Sequence, residues 1–557
     1  MAAENPLRLP DVVDCSVDDK GFSNSGGWKC ALLIIGVEVA ERSAYYGISG
    51  NLMAYLTGPL GQSTATAAEN LNFWSGTAWL LPLLGAIVAD SFLGRYRTII
   101  VAALIYILGL SLLTLSAVLP PVRADDCQSA DTVRPCSPDP ILILFFFALY
   151  LVAFGQGGFR PCVQAFGADQ FDGQDPEQRK AKSSFFNWWN CGVNAGVVVI
   201  FPVLNYIQDN LNWGFGFGIP CIFMAGALLI FLLGTKKYRY SIRREEGLPI
   251  LRIGQVFVAA FRNWRISPAI SFKEDASFTV SRRNPEQFEF LNKALLEING
   301  SEESRRASTP REVEEAKALL RLVPTWITCL IFAIVSSQVG TFFTKQARTM
   351  NRSISEHLEF PAASIQLSIP LAVTVLVPIY DRVFVPVARR LTGEHSGITM
   401  LQRIGTGLFL SAVAMVVAAL IEIKRLKTAE EYGLVDMPNA TIPMSGWWLI
   451  PQLVLIGAAD VFTIIGLQEF FYDQVPGELK SVGLSLFLSV VGAGNFLSGF
   501  LVSVIDKTTG KDGWFANNLN RAHLDYFYWL LAFLSVVQLV AFLYFAKSYI
   551  YNRGSAV

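Results

Sequence analysis

Apolar stretches long enough to cross a bilayer recur along almost the whole chain, and no other feature narrows its possible folds so sharply. A hydrocarbon core about 30 Å thick is crossed by about 20 residues of helix. Inside it every backbone polar group must be satisfied internally, which favours complete helices. Measured that way, twelve spans are expected, at 28–57, 71–92, 97–118, 140–165, 183–208, 214–234, 323–347, 363–386, 400–423, 445–474, 479–506 and 522–548. The expected fold is therefore an all-α polytopic membrane protein. Charged residues make up 16% of the 557 positions and hydrophobic residues 52%, whereas soluble domains carry about 25% charged residues. Lys plus Arg and Asp plus Glu both number 45, so no basic excess points to nucleic acid.

The long polar stretch after the sixth span divides the chain into a tail (1–27), a first six-helix half (28–234), a linker (235–322), a second half (323–548) and a short C-terminal tail (549–557). Lys and Arg are retained on the cytoplasmic side of short loops. Arg95, Arg97, Arg179, Lys180, Lys182, Lys236 and Lys237 fall on one side, while the loops at 58–69 and 208–213 carry none. Tails and linker are thus expected in the cytoplasm. Lys345, Arg348 and Arg521 run against the pattern, on the expected outer side. Which membrane holds the protein, that of the cell surface or of the vacuole, stays open. Cys127 and Cys136 share a polar outer loop where a disulfide is permitted.

Asp90-Ser-Phe-Leu-Gly-Arg95 follows the second span and Asp381-Arg382 the eighth. Such an echo suits two related halves, the architecture of major-facilitator transporters, which bind solute between the halves. Alternatively, an acid beside a base is a common helix end. In either case these four side chains are expected as helix-end charges holding an inward gate.

Ionisable groups within a span cost about 2.5 to 3.5 kcal/mol each on insertion scales. Glu38, Glu41 and Arg42 lie at i, i+3 and i+4 in the first span, on one face. Arg42 can neutralise Glu38, which by itself needs only a structural explanation. Glu41 is left over, and Arg160, in Gly155-Gln-Gly-Gly-Phe-Arg160-Pro on the fourth span, is its expected partner. Glu469 on the tenth span is expected in the same central cavity. Asp460, nine residues earlier, lies on the opposite face. Glu38, Glu41, Arg42, Arg160 and Glu469 sum to minus one, which one proton would neutralise. Protonating a first-span glutamate would then free Arg160 to meet an anionic group on a solute. Gln338 and Thr341 share a face of the seventh span and are expected to line the cavity. Arg305-Arg-Ala-Ser308 has the form of a basophilic kinase site. No HExxH, paired-cysteine or nucleophile-elbow pattern supports an enzyme.

Glu38-Val-Ala-Glu41-Arg42-Ser-Ala-Tyr45-Tyr46-Gly47 resembles the ExxER motif of the proton-coupled oligopeptide transporter family. Ala89-Asp90-Ser-Phe-Leu-Gly94-Arg95, Phe185-Phe186-Asn187-Trp-Trp-Asn190-Cys-Gly192 and Glu469-Phe-Phe-Tyr472-Asp-Gln-Val-Pro476 are similar to three further signatures of that family. Phe166-Gly-Ala-Asp-Gln-Phe-Asp172 and Asn518-Leu-Asn-Arg-Ala-His523 resemble its plant nitrate and peptide transporter branch. The resemblance implies a proton-driven symporter working by alternating access, with protons as coupling ion and no other cofactor. Glu38, Glu41, Arg42 and Arg160 would couple the proton. Tyr45, Tyr46, Asn187 and Glu469 would line the solute cavity. The chain departs from the family in having arginine at position 160, where most members have lysine, and Ser336 where one plant member uses a histidine for nitrate. Nitrate, short peptides, hormones and other small metabolites remain open as solutes. An uncoupled facilitator and a transporter-like sensor are the competing readings.

Overall fold

The structure is a computed structural model that describes residues 26–119, 140–171, 176–240, 249–264, 288–295, 309–355, 358–392, 398–475, 480–510 and 513–549. Cys127, Cys136 and Ser308 lie outside the described residues, as do the side chains of Asp90, Asn187 and Asp381.

The chain is predominantly helical. The long helices of the first part are α1 (Gly27–Ser49) with its short continuation α2 (Leu52–Thr57), α3 (Thr64–Val88), α4 (Arg95–Val118), α5 (Pro140–Ala168), α6 (Pro176–Asn210) and α7 (Trp213–Leu233). Then come α8 (Pro249–Arg262), α9 (Pro310–Thr328), α10 (Leu330–Ser337), α11 (Thr344–Thr349), α12 (Ser368–Ile379), α13 (Val385–Thr392), α14 (Met400–Glu431), α15 (Ile450–Asp473), α16 (Lys480–Thr509) and α17 (Leu524–Ser548). Nine helical stretches among the described residues are long and apolar enough to cross a membrane. Pro310–Thr328 and Leu330–Arg348, bent by 43° where they meet, form a further one if taken as a single span. Helices α1 and α6 fall outside that set. The first carries Lys29, Glu38, Glu41 and Arg42, and the second opens on Glu177, Arg179, Lys180 and Lys182.

Local chemistry sets several of the boundaries. Ser63 caps α3 by accepting from the Thr66 backbone N–H at 3.1 Å, and Thr309 with Glu312 forms a reciprocal capping box at α9, satisfying amides that the first helical turn leaves bare. That cap starts α9 at Pro310, so the helix runs straight through the boundary expected at 322/323, and α8 gives the linker a helix of its own. Four short strands qualify the all-α expectation. β1 (Met350–Asn351) pairs in parallel with β4 (Ile442–Ser445), and β2 (Ser353–Ser355) pairs antiparallel with β3 (Leu358–Glu359).

The two echoed sequence segments share one local conformation. A π-helical turn follows α3 at Ala89–Leu93, and another follows α12 at Tyr380–Phe384. Such single wide turns inside helices are rare. Gly94, with φ of 77°, ends the first and starts α4, in a conformation that costs any residue with a Cβ.

Helix α3 packs on both α5 and α16, and α14 packs on α15 and α17. The α3–α5 contact depends on glycine. A Cβ on Gly85 would stand 2.1 Å from the Gly157 carbonyl oxygen, and Pro161 inside α5 lacks the N–H that would otherwise claim that carbonyl. At one end of the molecule early and late helices are bonded together. Gln366 Nε2 donates to the Gly50 carbonyl at 3.0 Å, the Thr64 N–H to Asn517 Oδ1 at 3.0 Å, and Asn72 Nδ2 to Ser498 Oγ at 3.0 Å.

Candidate functional site

The i, i+3, i+4 spacing on α1 places its three charges as expected, and the neighbouring helices close over them. Arg42 Nε donates to Glu38 Oε1 at 2.9 Å and lies 3.7 Å from Glu41 Oε2. Arg160, brought in by α5, puts its Nε 3.4 Å from the other Glu41 oxygen, Oε1. Glu41 thus sits between two guanidinium groups, fully buried, yet neither of its oxygens accepts a hydrogen bond.

Several neighbours hold Arg160. Gln156, one turn earlier on α5, turns its amide oxygen to the guanidinium at 2.5 to 2.8 Å. The Tyr45 ring lies 4.4 Å from the guanidinium carbon and the Trp79 ring 5.4 Å, within range of cation–π attraction. Tyr45 is itself stacked on Trp74 at 5.6 Å, and Trp74 is anchored through its indole N–H to the Leu149 carbonyl at 2.9 Å. Tyr46 stands edge-on to Tyr45 at 5.4 Å. Sequence reasoning missed Trp79 and Gln156. The i−4 relation of Gln156 to Arg160 was a readable signal, whereas Trp79 offered none.

The charge count that included Glu469 requires a correction. Glu469 pairs with Arg403 of α14, Nη1 to Oε2 at 3.1 Å, and Arg403 also donates to the Val461 carbonyl at 3.2 Å and lies over the Tyr380 ring at 4.6 Å. The charge tally that gave minus one counted Glu469 without this partner. The cluster around Arg160 holds two carboxylates and two guanidinium groups and is formally neutral, as burial demands.

Gln338 is engaged within the protein. It is fully buried, its amide donating to the Ile334 carbonyl at 2.7 Å and to Ser498 Oγ at 3.1 Å, and Thr341, also buried, donates to its oxygen at 3.3 Å. The two side chains share one side, as their spacing predicts, although a π-helical turn at Val339–Phe343 interrupts the regular helix between them. Gln338 thereby joins two helices, while Thr341 bonds within its own segment, to Gln338 and to the Ser337 carbonyl at 3.1 Å. Arg95 Nη1 meets Asp169 Oδ2 at 2.5 Å, tying the start of α4 to the residue just beyond α5. Arg382 is exposed.

A family model described as "POT family" matches residues 96–517. An Arabidopsis thaliana protein, NRT1/PTR FAMILY 5.10, is 60% identical over 95% of this chain and 94% of its own length. NRT1/PTR FAMILY 5.14 of the same plant is 54% identical over 100% and 99%. The crystal structure of an auto-inhibited POT family peptide transporter superposes with a TM-score of 0.71 at 23% identity, covering 95% of this chain and 99% of that one, which establishes the shared fold. The chain belongs to the POT family, a family of membrane transporters and not of enzymes.

Proposed function

We propose that the protein is a proton-coupled symporter that carries a small solute by alternating access, with α1 and α6 crossing the membrane alongside the other spans. That makes twelve helices in two halves, 28–234 and 323–548, with the tails and linker in the cytoplasm. The paired π-helical turns after α3 and α12 support the repeat. The bonds from Gln366, Thr64 and Asn72 support a state closed at the outer end.

The observation that carries the coupling is Arg160 Nε held 3.4 Å from Glu41 Oε1 inside a neutral, buried set of four charges. Glu38 is committed to a hydrogen bond with Arg42, whereas Glu41 accepts none and is the carboxylate that faces Arg160. Protonated Glu41 no longer attracts Arg160. The guanidinium, permanently charged, then needs a new counter-charge in a site that water barely reaches. An anionic group on the solute supplies it, be it nitrate or the carboxylate of a short peptide, and proton and anion enter together. Tyr45, Tyr46 and Asn187 would line the solute's side of the cavity. Glu469 would join them through its exposed face.

Uptake into proteoliposomes under an imposed proton gradient tests the reading, with nitrate and a panel of di- and tripeptides as solutes. Wild-type uptake should rise with external acidity and Glu41→Gln uptake should not. A Glu41→Gln protein with unaltered pH dependence would refute the coupling, and wild-type uptake indifferent to the gradient would make the protein a facilitator.

A further inference from the structure

Three cations, Lys345, Arg348 and Arg521, stand against the charge pattern of the short loops. Arg521 is answered by Asp436. Lys345 and Arg348 have neither an ion pair nor a side-chain hydrogen bond among the described residues. They lie three residues apart on α11, and so on one side of it. Gln346 between them points the other way and anchors the helix, donating to buried Glu422 at 2.6 Å.

Both cations line a cavity between the early and late helices at the bonded end of the molecule. Gln62 and Thr64 come to it from one side, Asn439 and Asn517 from the other. No Asp or Glu is among its described lining residues. The two best placed amides have spent their oxygens on the protein. Gln62 Oε1 accepts from Asn70 at 3.1 Å, and Asn517 Oδ1 from the Thr64 N–H at 3.0 Å. Each therefore keeps its NH2 as an unused donor. Two unpaired cations with donor-only amides make an anion's environment. A second cavity, which Lys345 and Arg348 also line, does contain the carboxylates Asp209 and Glu359, but neither forms an ion pair with these two cations: Glu359 is paired with Arg352 at 3.2 Å and Asp209 accepts from Asn51 at 2.9 Å.

We propose that the cavity between Lys345, Arg348, Gln62 and Asn517 binds a small monovalent inorganic anion of chloride or nitrate size. Its cations belong to the late helices and Gln62 to the early ones, so the site is complete only while this end is closed. Bound anion holds that end shut by offsetting the repulsion between two like charges.

The test uses the purified full-length chain in detergent, with chloride replacing gluconate at constant ionic strength. The thermal midpoint should rise with chloride and saturate, and Lys345→Gln with Arg348→Gln should weaken the apparent affinity by about tenfold or more, as linkage between binding and stability requires. Lys345→Arg should retain the response. An equal response to gluconate and chloride, or a double variant that still saturates at the wild-type concentration, would overturn the proposal. If the double variant does not fold, the wild-type comparison of the two anions decides by itself. Neither readout involves transport or a proton gradient, so this site and the symport reading can fail separately.

Discussion

Arg403 reaches from α14 to hold Glu469 of α15, with 3.1 Å between Nη1 and Oε2. This contact takes the tenth-span carboxylate out of the charge account of the Arg160 cluster. The cluster balances without it, and Glu469, about half exposed on its other side, keeps a permanent local counter-charge.

Because the Arg403–Glu469 pair is partly solvated, it should contribute only about 0.2 to 1 kcal/mol to stability. Glu469→Gln, which leaves the contacts of Arg403 with the Val461 carbonyl and the Tyr380 ring in place, is expected to leave the thermal midpoint nearly unchanged while lowering solute uptake, and the Arg403→Gln/Glu469→Gln double variant should transport no worse than the poorer single variant. Uptake measured as a double-mutant cycle checks this. Strictly additive losses would mean that the two residues act independently.

At position 160, lysine would keep the charge facing Glu41 but lose the planar contacts with Gln156, Tyr45 and Trp79. With cation–π contacts of about 1 to 2 kcal/mol when desolvated, Arg160→Lys should reduce uptake roughly tenfold and preserve its pH dependence. Arg160→Gln should abolish gradient-driven uptake. Initial rates at several external pH values separate the two outcomes.

A second buried ion pair gives a prediction about stability alone. Arg425 and Glu422 are both fully buried and bonded side by side at 2.6 and 2.8 Å, and Arg425 also donates to Asn520 at 2.9 Å and to the Leu519 carbonyl at 2.7 Å. Arg425→Met strands a buried carboxylate and should cost about 3 to 5 kcal/mol. Adding Glu422→Gln should recover part of that loss. Thermal unfolding in detergent reads both.

Gly85→Ala would drive a methyl group into the Gly157 carbonyl. Overpacking of this kind costs roughly 1 to 3 kcal/mol. It should also displace α5, so uptake is expected to fall together with the thermal midpoint. Gly36→Ala is the control, since nothing lies within 4 Å of its added Cβ.

Much of this protein was legible in its sequence because helices impose local geometry. Bilayer-length apolar runs gave the membrane class and most of the span positions. The i, i+3, i+4 spacing of Glu38, Glu41 and Arg42 fixed a common face and the Arg42–Glu38 bond before any neighbour was considered. The same logic would have exposed Glu422 and Arg425, at i and i+3, had the ninth span not been ended at 423, short of the Glu431 that α14 reaches. What the sequence could not supply was the pairing between helices. Arg403 with Glu469, Trp79 beneath Arg160 and Gln338 against Ser498 each depend on how far one helix is rotated and how closely it approaches the next. Glycines such as Gly85 and Gly157 and the π-helical turns set that approach and rotation, and their effect appears only once the helices are packed.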